Sequence, residues 1–442
     1  MTQGPWPKKR AVDRLDSTPP DTAQWHDAWI AELTQAFLHL QPEPGRDSMQ
    51  RRRLLGAAPL LAVLVTLGLA PVKAQQEPIV FGLITPLSPP GETALGQLAK
   101  RGAEIGVDYI NEKGGVLGRK VTLSVHDSAG KNEQGVAAYR RLVSSEKAVA
   151  VFGFIHSGVN IAVNEVAKEM GVPTMGTQTG ASDVTAKKYD IAFRTHAVDA
   201  PRAAAWLGWI QKNKWKRVSV IAETTDYGIG LAKETEKQNK EKNLGLEIQT
   251  IMFDRTTTDL LPQLLQVKAF KPDAIVNIGV GQPLDLMITQ AHTAGLLPGA
   301  QMVTSYDAPA RPQFWQLHGD KGVGINFIAF YAPKSELSDL GKEFAKRYQA
   351  KFSEPPVYAA LNGFANAIVF AEAIKKANTT EPKALIKALE EGSFTGWSTS
   401  PLTFPRAEGP LWHNWSPPLM VLRYAAKDQT PATAEVAYVL GQ

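Results

Sequence analysis

From residue 79 onward, short apolar runs alternate with stretches in which apolar residues return every three or four positions. This is the pattern of strands followed by helices in a parallel α/β sheet. Residues 79–84 read as a strand; Leu98, Gly102, Ile105 and Tyr109 then recur at helical spacing, and Gly114-Gly115 supply a stop. Val121, Leu123 and Val125 alternate as a second strand, and Asn132 is placed to cap the next helix. Residues 149–152 form a third strand, leading into a helix over 157–170 that ends at Gly171. A short strand over 172–175 follows. Past Thr195 a second series begins: a helix carrying Trp206, Trp209 and Ile210, a strand over 217–221, a helix to Asn243, and a strand over 247–253. A helix from Asp259 and strands over 274–278 and 301–304 complete it. Helices dominate 337–391, and strand patterns return at 401–404 and 419–423. The order predicts an α/β protein of two doubly wound parallel-sheet lobes, with 77–196 and 327–395 in lobe 1 and 197–326 and 396–442 in lobe 2.

Ahead of this region, Met49-Gln50-Arg51-Arg52-Arg53 precedes an apolar run over 54–70 and then Val72-Lys73-Ala74-Gln75. A basic start, an apolar middle and small residues at a cleavage point make a signal peptide over 49–74, cut after Ala74. The run contains Pro59 and is short for a hydrocarbon core of about 30 Å, which argues against a permanent anchor. Residues 1–48 read as a non-structural extension, and translation is expected to start at Met49.

The chain has no cysteine, which excludes disulfides, thiol nucleophiles and a lipid-carrying Cys anchor. Its net charge of +5 over 442 residues comes without a basic block interleaved with aromatics, so no nucleic-acid partner is expected. Neither a dinucleotide fingerprint, a phosphate loop nor a nucleophile elbow is present, so no catalytic residue and no cofactor are expected. His126, His292, His318 and His413 stand alone, without metal-ligand spacing. The aromatic stretch Trp412-His413-Asn414-Trp415 is explained by packing as well as by binding.

One turn carries candidate chemistry. His156-Ser157-Gly158 lies between a strand and a helix, so its backbone N–H groups and the Ser157 hydroxyl suit an anion at the helix N-terminus. A Ser at this place serves equally well as a plain helix cap.

Several ordered pieces resemble the branched-chain amino-acid-binding receptors of ABC importers. They are Asp108-Tyr109-Ile110-Asn111 with Gly114-Gly115-Val116-Leu117-Gly118, Gly153-Phe154-Ile155-His156-Ser157-Gly158, Gly171-Val172-Pro173, Phe193-Arg194-Thr195, Asp226-Tyr227-Gly228-Ile229-Gly230 and Ala294-Gly295-Leu296. Together they span nearly all of 75–442. The resemblance implies a type I periplasmic-binding fold, whose two lobes are joined by three crossovers and close on a ligand by hinge motion. It implies a periplasmic protein, expected to be a monomer, whose partners are a small-molecule solute and membrane permease subunits. A sensing receptor module of the same fold is the alternative, and an α/β enzyme a weaker one.

The resemblance also assigns the site. Ser157 takes the ligand carboxylate, with His156 and Gly158 beside it; Gln178, Thr179 and Gly180 supply further contacts; Tyr227 packs over the ligand. Amino-acid binders tend to carry a hydroxyl where this chain has Gly180, and Thr179 is expected to substitute. They place an acid, the ammonium partner, at a position that registers with Tyr306 here. Asp307 stands one residue away. On that register the solute is a carboxylate without an α-ammonium, such as an aromatic or apolar organic acid; a shift of one residue restores a branched-chain or other amino acid.

Overall fold

The computed structural model describes residues 77–331 and 336–441. The expected leader at 49–74 and the extension at 1–48 lie outside the described residues.

The first sheet consists of β1 (Ile79–Thr85), β2 (Val121–Asp127), β3 (Ala150–Phe154), β4 (Thr174–Gly176) and β5 (Ala192–Arg194), in the order β2-β1-β3-β4-β5 and all parallel. The helices that follow the first four strands are α1 (Thr93–Glu112), α2 (Asn132–Ser144), α3 (Ser157–Met170) and the single turn α4 (Asp183–Ala186). Every residue of β3 is buried, as expected of a central strand covered on both faces. Gly171 closes α3 at φ 81°, its N–H donating to the Ala167 carbonyl at 2.8 Å, a conformation that costs glycine least. Asn132 does not cap α2: Lys131 holds the cap position without a side-chain bond, and Asn132 is already helical.

The chain then enters the second lobe through α5 (Asp199–Lys212). Strands β6 (Arg217–Glu223), β7 (Glu247–Phe253), β8 (Ala274–Ile278), β9 (Gln301–Thr304) and β10 (Asn326–Ala329) form a parallel array. Between them run α6 (Asp226–Glu241), α7 (Leu261–Phe270), α8 (Gln282–Thr293) and the short α9 (Phe314–His318). Two antiparallel strands, β11 (Met420–Arg423) and β12 (Glu435–Val439), extend the edge beyond β10, so this lobe is not purely parallel.

From β10 the chain returns to the first lobe as α10 (Asp339–Phe352), α11 (Tyr358–Ala377) and α12 (Pro382–Glu390). Helices α1 and α11 approach closely because small residues face each other. A Cβ on Gly102 would stand 2.0 Å from the Ala360 carbonyl oxygen, and one on Gly363 2.2 Å from that of Ala99.

Two expectations near the C-terminal end are corrected. Residues 401–404 form no strand; Leu402 makes only an isolated bridge with Phe394. Residues 396–415, expected in lobe 2, pack on lobe 1: Trp397 Nε1 donates to Asn362 at 3.0 Å, Phe404 packs on Phe193, and Asn414 bridges Arg194 at the end of β5. The buried Arg194 guanidinium holds the last of them there, donating to Asn414 Oδ1 at 2.6 Å and to the carbonyls of Ala181 at 2.7 Å and Pro410 at 2.8 Å. The third crossover therefore lies between Trp415 and Met420, and Trp412, His413 and Trp415 are buried packing residues.

Candidate functional site

In a doubly wound sheet a crevice opens at the carboxyl ends of the strands where the strand order reverses. That reversal falls between β1 and β3 in the first sheet and between β6 and β8 in the second. Residues following these strands meet across the lobes and enclose a cavity of about 330 Å³. From lobe 1, His156, Ser157, Gly158, Val159, Gln178 and His196 line it. From lobe 2 come Arg202, Glu223, Tyr227, Arg255, Val280 and Tyr306, among others.

Side chains tie the two lobes together around this space. Arg255 donates to the carbonyls of Gly130 (3.2 Å) and Pro90 (3.0 Å) and lies 3.1 Å from His156 Nε2. Arg311 bonds Glu92 of lobe 1 at 3.1 Å and Asp285 of its own lobe at 2.7 Å. Gln178 Nε2 donates to Asp307 Oδ1 at 2.7 Å.

The N-terminus of α3 opens onto the cavity. Its cap residue is His156, with no side-chain cap bond, so Ser157 is the first helical residue rather than the cap. The Ser157 hydroxyl oxygen accepts the Ala181 N–H at 3.2 Å, which leaves its proton to donate. No acidic side chain occupies the first turn. His156 is neutral: burial first, then Arg255, hold its pKa well below the usual imidazole range, and Nε2 accepts the Glu92 N–H at 3.0 Å.

Six of the nine residues expected from the sequence therefore line one cavity: His156, Ser157, Gly158, Gln178, Tyr227 and Tyr306. Three lie outside its lining. The Thr179 hydroxyl donates to Asn160 at 3.2 Å and is fully buried behind the wall, so it does not stand in for the missing hydroxyl at Gly180. Gly180 itself is covered by Arg202. Asp307 is turned toward Gln178 and lines a second cavity of about 360 Å³, bordered by Tyr331, Tyr358 and Tyr424.

Sequence reasoning missed Arg202, Glu223 and Arg255. Arg202 had a legible signal, since it falls on the apolar stripe of α5 with Trp206, Trp209 and Ile210 and is as buried as they are. Its Nη2 donates to the Tyr227 hydroxyl and the Ser305 carbonyl, and its guanidinium lies over the Tyr227 ring at 4.8 Å. Its Nε and Nη1 have no hydrogen-bond partner, nor do Arg255 Nε and Gln178 Oε1. Buried polar atoms are rarely left so.

Glu223 is buried, its oxygens accepting from Thr225 Oγ1 at 2.8 Å and the Val280 N–H at 3.1 Å. Burial pushes its pKa up to about 7, against the opposing charge of Arg255. Burial also lifts Asp307 to about 7, opposed in part by its bond from Gln178. No group of three His, Asp or Glu side chains suited to a metal occurs among the described residues, and none of their helices is long and apolar enough to cross a membrane.

Known proteins share this architecture. The chain is 28% identical over 349 residues to a Leu/Ile/Val-binding protein homolog 3 of Brucella melitensis, covering 78% of this chain and 91% of that one. It is 32% identical over 319 residues to the Leu/Ile/Val-binding protein BraC3 of Rhizobium johnstonii, covering 71% and 84%. Among solved structures, a leucine-binding protein of Thermotoga maritima superposes with a TM-score of 0.72 at 23% identity, over 82% of this chain and 98% of that one. A solute-binding protein of R. palustris in complex with benzoate does so with 0.69 at 22% identity, over 83% and 99%. The family model described as periplasmic binding protein matches residues 78–421, and the chain belongs to that family.

Proposed function

We propose that the protein is the exported solute-binding component of an ABC importer and that its interlobe cavity captures a small organic acid for delivery to membrane permease subunits. The observation that carries this reading is the N-terminus of α3 with the Ser157 hydroxyl, facing a cavity between the lobes; the helix has no acid in its own first turn, and the exposed Asp226 of α6 stands opposite Gly158. Helix N-termini favour negative charge, and a hydroxyl that already accepts one bond has its proton available for a carboxylate. Leucine, isoleucine, valine and benzoate, the compounds in the names of the relatives and of one structural neighbour, all carry a carboxylate.

The cavity favours an acid without an ammonium. A buried ammonium needs a counter-charge. Asp307 is outside the lining and bonded to Gln178, and Glu223 already uses both oxygens and is half-protonated near neutrality. Arg202 and Arg255 lie in the lining, where Arg202 keeps Nε and Nη1 unpartnered, and the exposed Asp226 is the remaining acid beside Glu223. Tyr227 and Tyr306 offer faces for an aromatic or alkyl group.

Three outcomes follow from this reading. In a thermal-shift panel of amino acids, amides, sugars, and aliphatic and aromatic acids, organic acids give the largest stabilisation, about 2.7 kcal/mol at 100 times Kd. Stabilisation by neutral amides or sugars alone would contradict the carboxylate reading.

Asp307 and Glu223 each contribute less stability to the ligand-free protein as pH rises from about 4 to about 7, opposing the buried His156, His196 and His413, whose lowered pKa values act the other way. Over that interval Asp307 and Glu223 stay protonated in the fold, where burial raises them to about 7 from ordinary values of 3.8 and 4.5, while the unfolded chain has already released both protons. Melting curves of wild type and Asp307→Asn across this range should diverge, the variant gaining relative stability as pH rises; a pH dependence identical in the two would discount Asp307.

The leader is removed after Ala74 on export, so the intact mass of periplasmic protein corresponds to a chain beginning at Gln75. Retention of residues 54–70 in that mass would overturn cleavage.

A further inference from the structure

Arg202 is among the largest side chains fully buried in the protein, and its charge is not neutralised by an ion pair. Leaving a guanidinium in that state is costly, since both the charge and its unused N–H groups have lost water. The nearby acid Asp199, one turn earlier on α5, is anchored elsewhere. Its Oδ2 accepts the Ser182 N–H at 3.2 Å and its Oδ1 has no partner.

The unused Nη1 has a definite place. A Cβ built on Gly180 would lie 2.0 Å from it, so the guanidinium stands where a side chain at 180 would begin. Gly180 adjoins Ala181, whose N–H is held by Ser157 Oγ. Arg202 and Ser157 both line the cavity, and the adjacent Gly180 and Ala181 bring the free guanidinium edge near the free hydroxyl proton at the N-terminus of α3. The tyrosine that stacks on Arg202 and takes its Nη2 bond, Tyr227, lines the same space and fixes the guanidinium from behind.

We infer that Arg202 is the specificity-determining residue of the cleft: its Nη1, admitted by the absence of a side chain at Gly180, pairs with one oxygen of the solute carboxylate while Ser157 and the α3 N-terminus take the other. This rests on the carboxylate reading above and narrows it. A guanidinium in place of a hydroxyl adds a full positive charge next to the anion, so the preferred solute carries net negative charge.

The test is calorimetric titration of the full mature protein with benzoate, 3-phenylpropanoate, 3-methylbutanoate and leucine. The wild type binds at least one of the acids more tightly than leucine. Arg202→Gln weakens that acid by about thirtyfold or more, while the ligand-free melting temperature does not fall, because an unpaired buried charge has been removed. Arg202→Lys recovers part of the affinity. Gly180→Ser, which leaves the arginine in the chain but displaces Nη1, weakens the same acid and gives a second route should Arg202→Gln fold poorly. If Arg202→Gln, or Gly180→Ser in its stead, binds the tightest of the four within threefold of wild type, Arg202 does not carry recognition although the carboxylate reading survives. If leucine is preferred and its binding depends on Arg202, the preference for net negative charge is overturned. If none of the four binds the wild type, the inference and the carboxylate reading fall together.

Discussion

Burial of the Arg202 guanidinium between two lobes, with two of its nitrogens unsatisfied, is the constraint on which the rest of the site depends. A charge in that position must be compensated locally or be held ready for an anion. The stacked Tyr227 ring and the Ser305 carbonyl compensate part of it. The absence of a side chain at Gly180 leaves room for Nη1, which a Cβ there would displace. The neighbouring acids supply only part of the balance near neutral pH, since burial lifts Asp199, like Glu223 and Asp307, to about 7.

The fold makes such a site possible by bringing two strand-order reversals face to face. Each sheet alone offers a shallow crevice at its carboxyl edge. Opposed, they enclose a space whose walls come from separate bodies linked by three chain crossings. Contacts that bridge the lobes, such as Arg255 to Gly130 and Pro90 and Arg311 to Glu92, exist only while the lobes are together. On the proposed reading, an anion bound between Ser157 and Arg202 would add to these and shift the population toward the closed arrangement, the thermodynamic form of hinge closure.

Much of this was legible in the sequence because long elements carry their period plainly. The helix Ser157–Met170 and the strands Glu247–Phe253, Ala274–Ile278 and Gln301–Thr304 have the same bounds in the pattern and in the structure. Strand Glu435–Val439 was not read because it is an edge strand with no buried residue and no alternation of buried and exposed positions to detect. The run at 401–404 looked like a strand but found only one isolated bridge. In the site, His156 follows a strand directly and could be placed from order alone, as Tyr306 could from the family register. Thr179 and Asp307 could not, because one residue of register decides which wall a side chain faces. Arg202 and Gly180 lie far apart in sequence, and only the fold reveals that one occupies the space the other leaves.

The most direct test of the central claim is a crystal structure of the protein with its tightest-binding organic acid. One carboxylate oxygen should lie within about 3.2 Å of Arg202 Nη1 and the other within similar reach of Ser157 Oγ and the first N–H groups of α3. A carboxylate bound elsewhere in the cavity, with Arg202 turned onto Asp199 instead, would contradict the account.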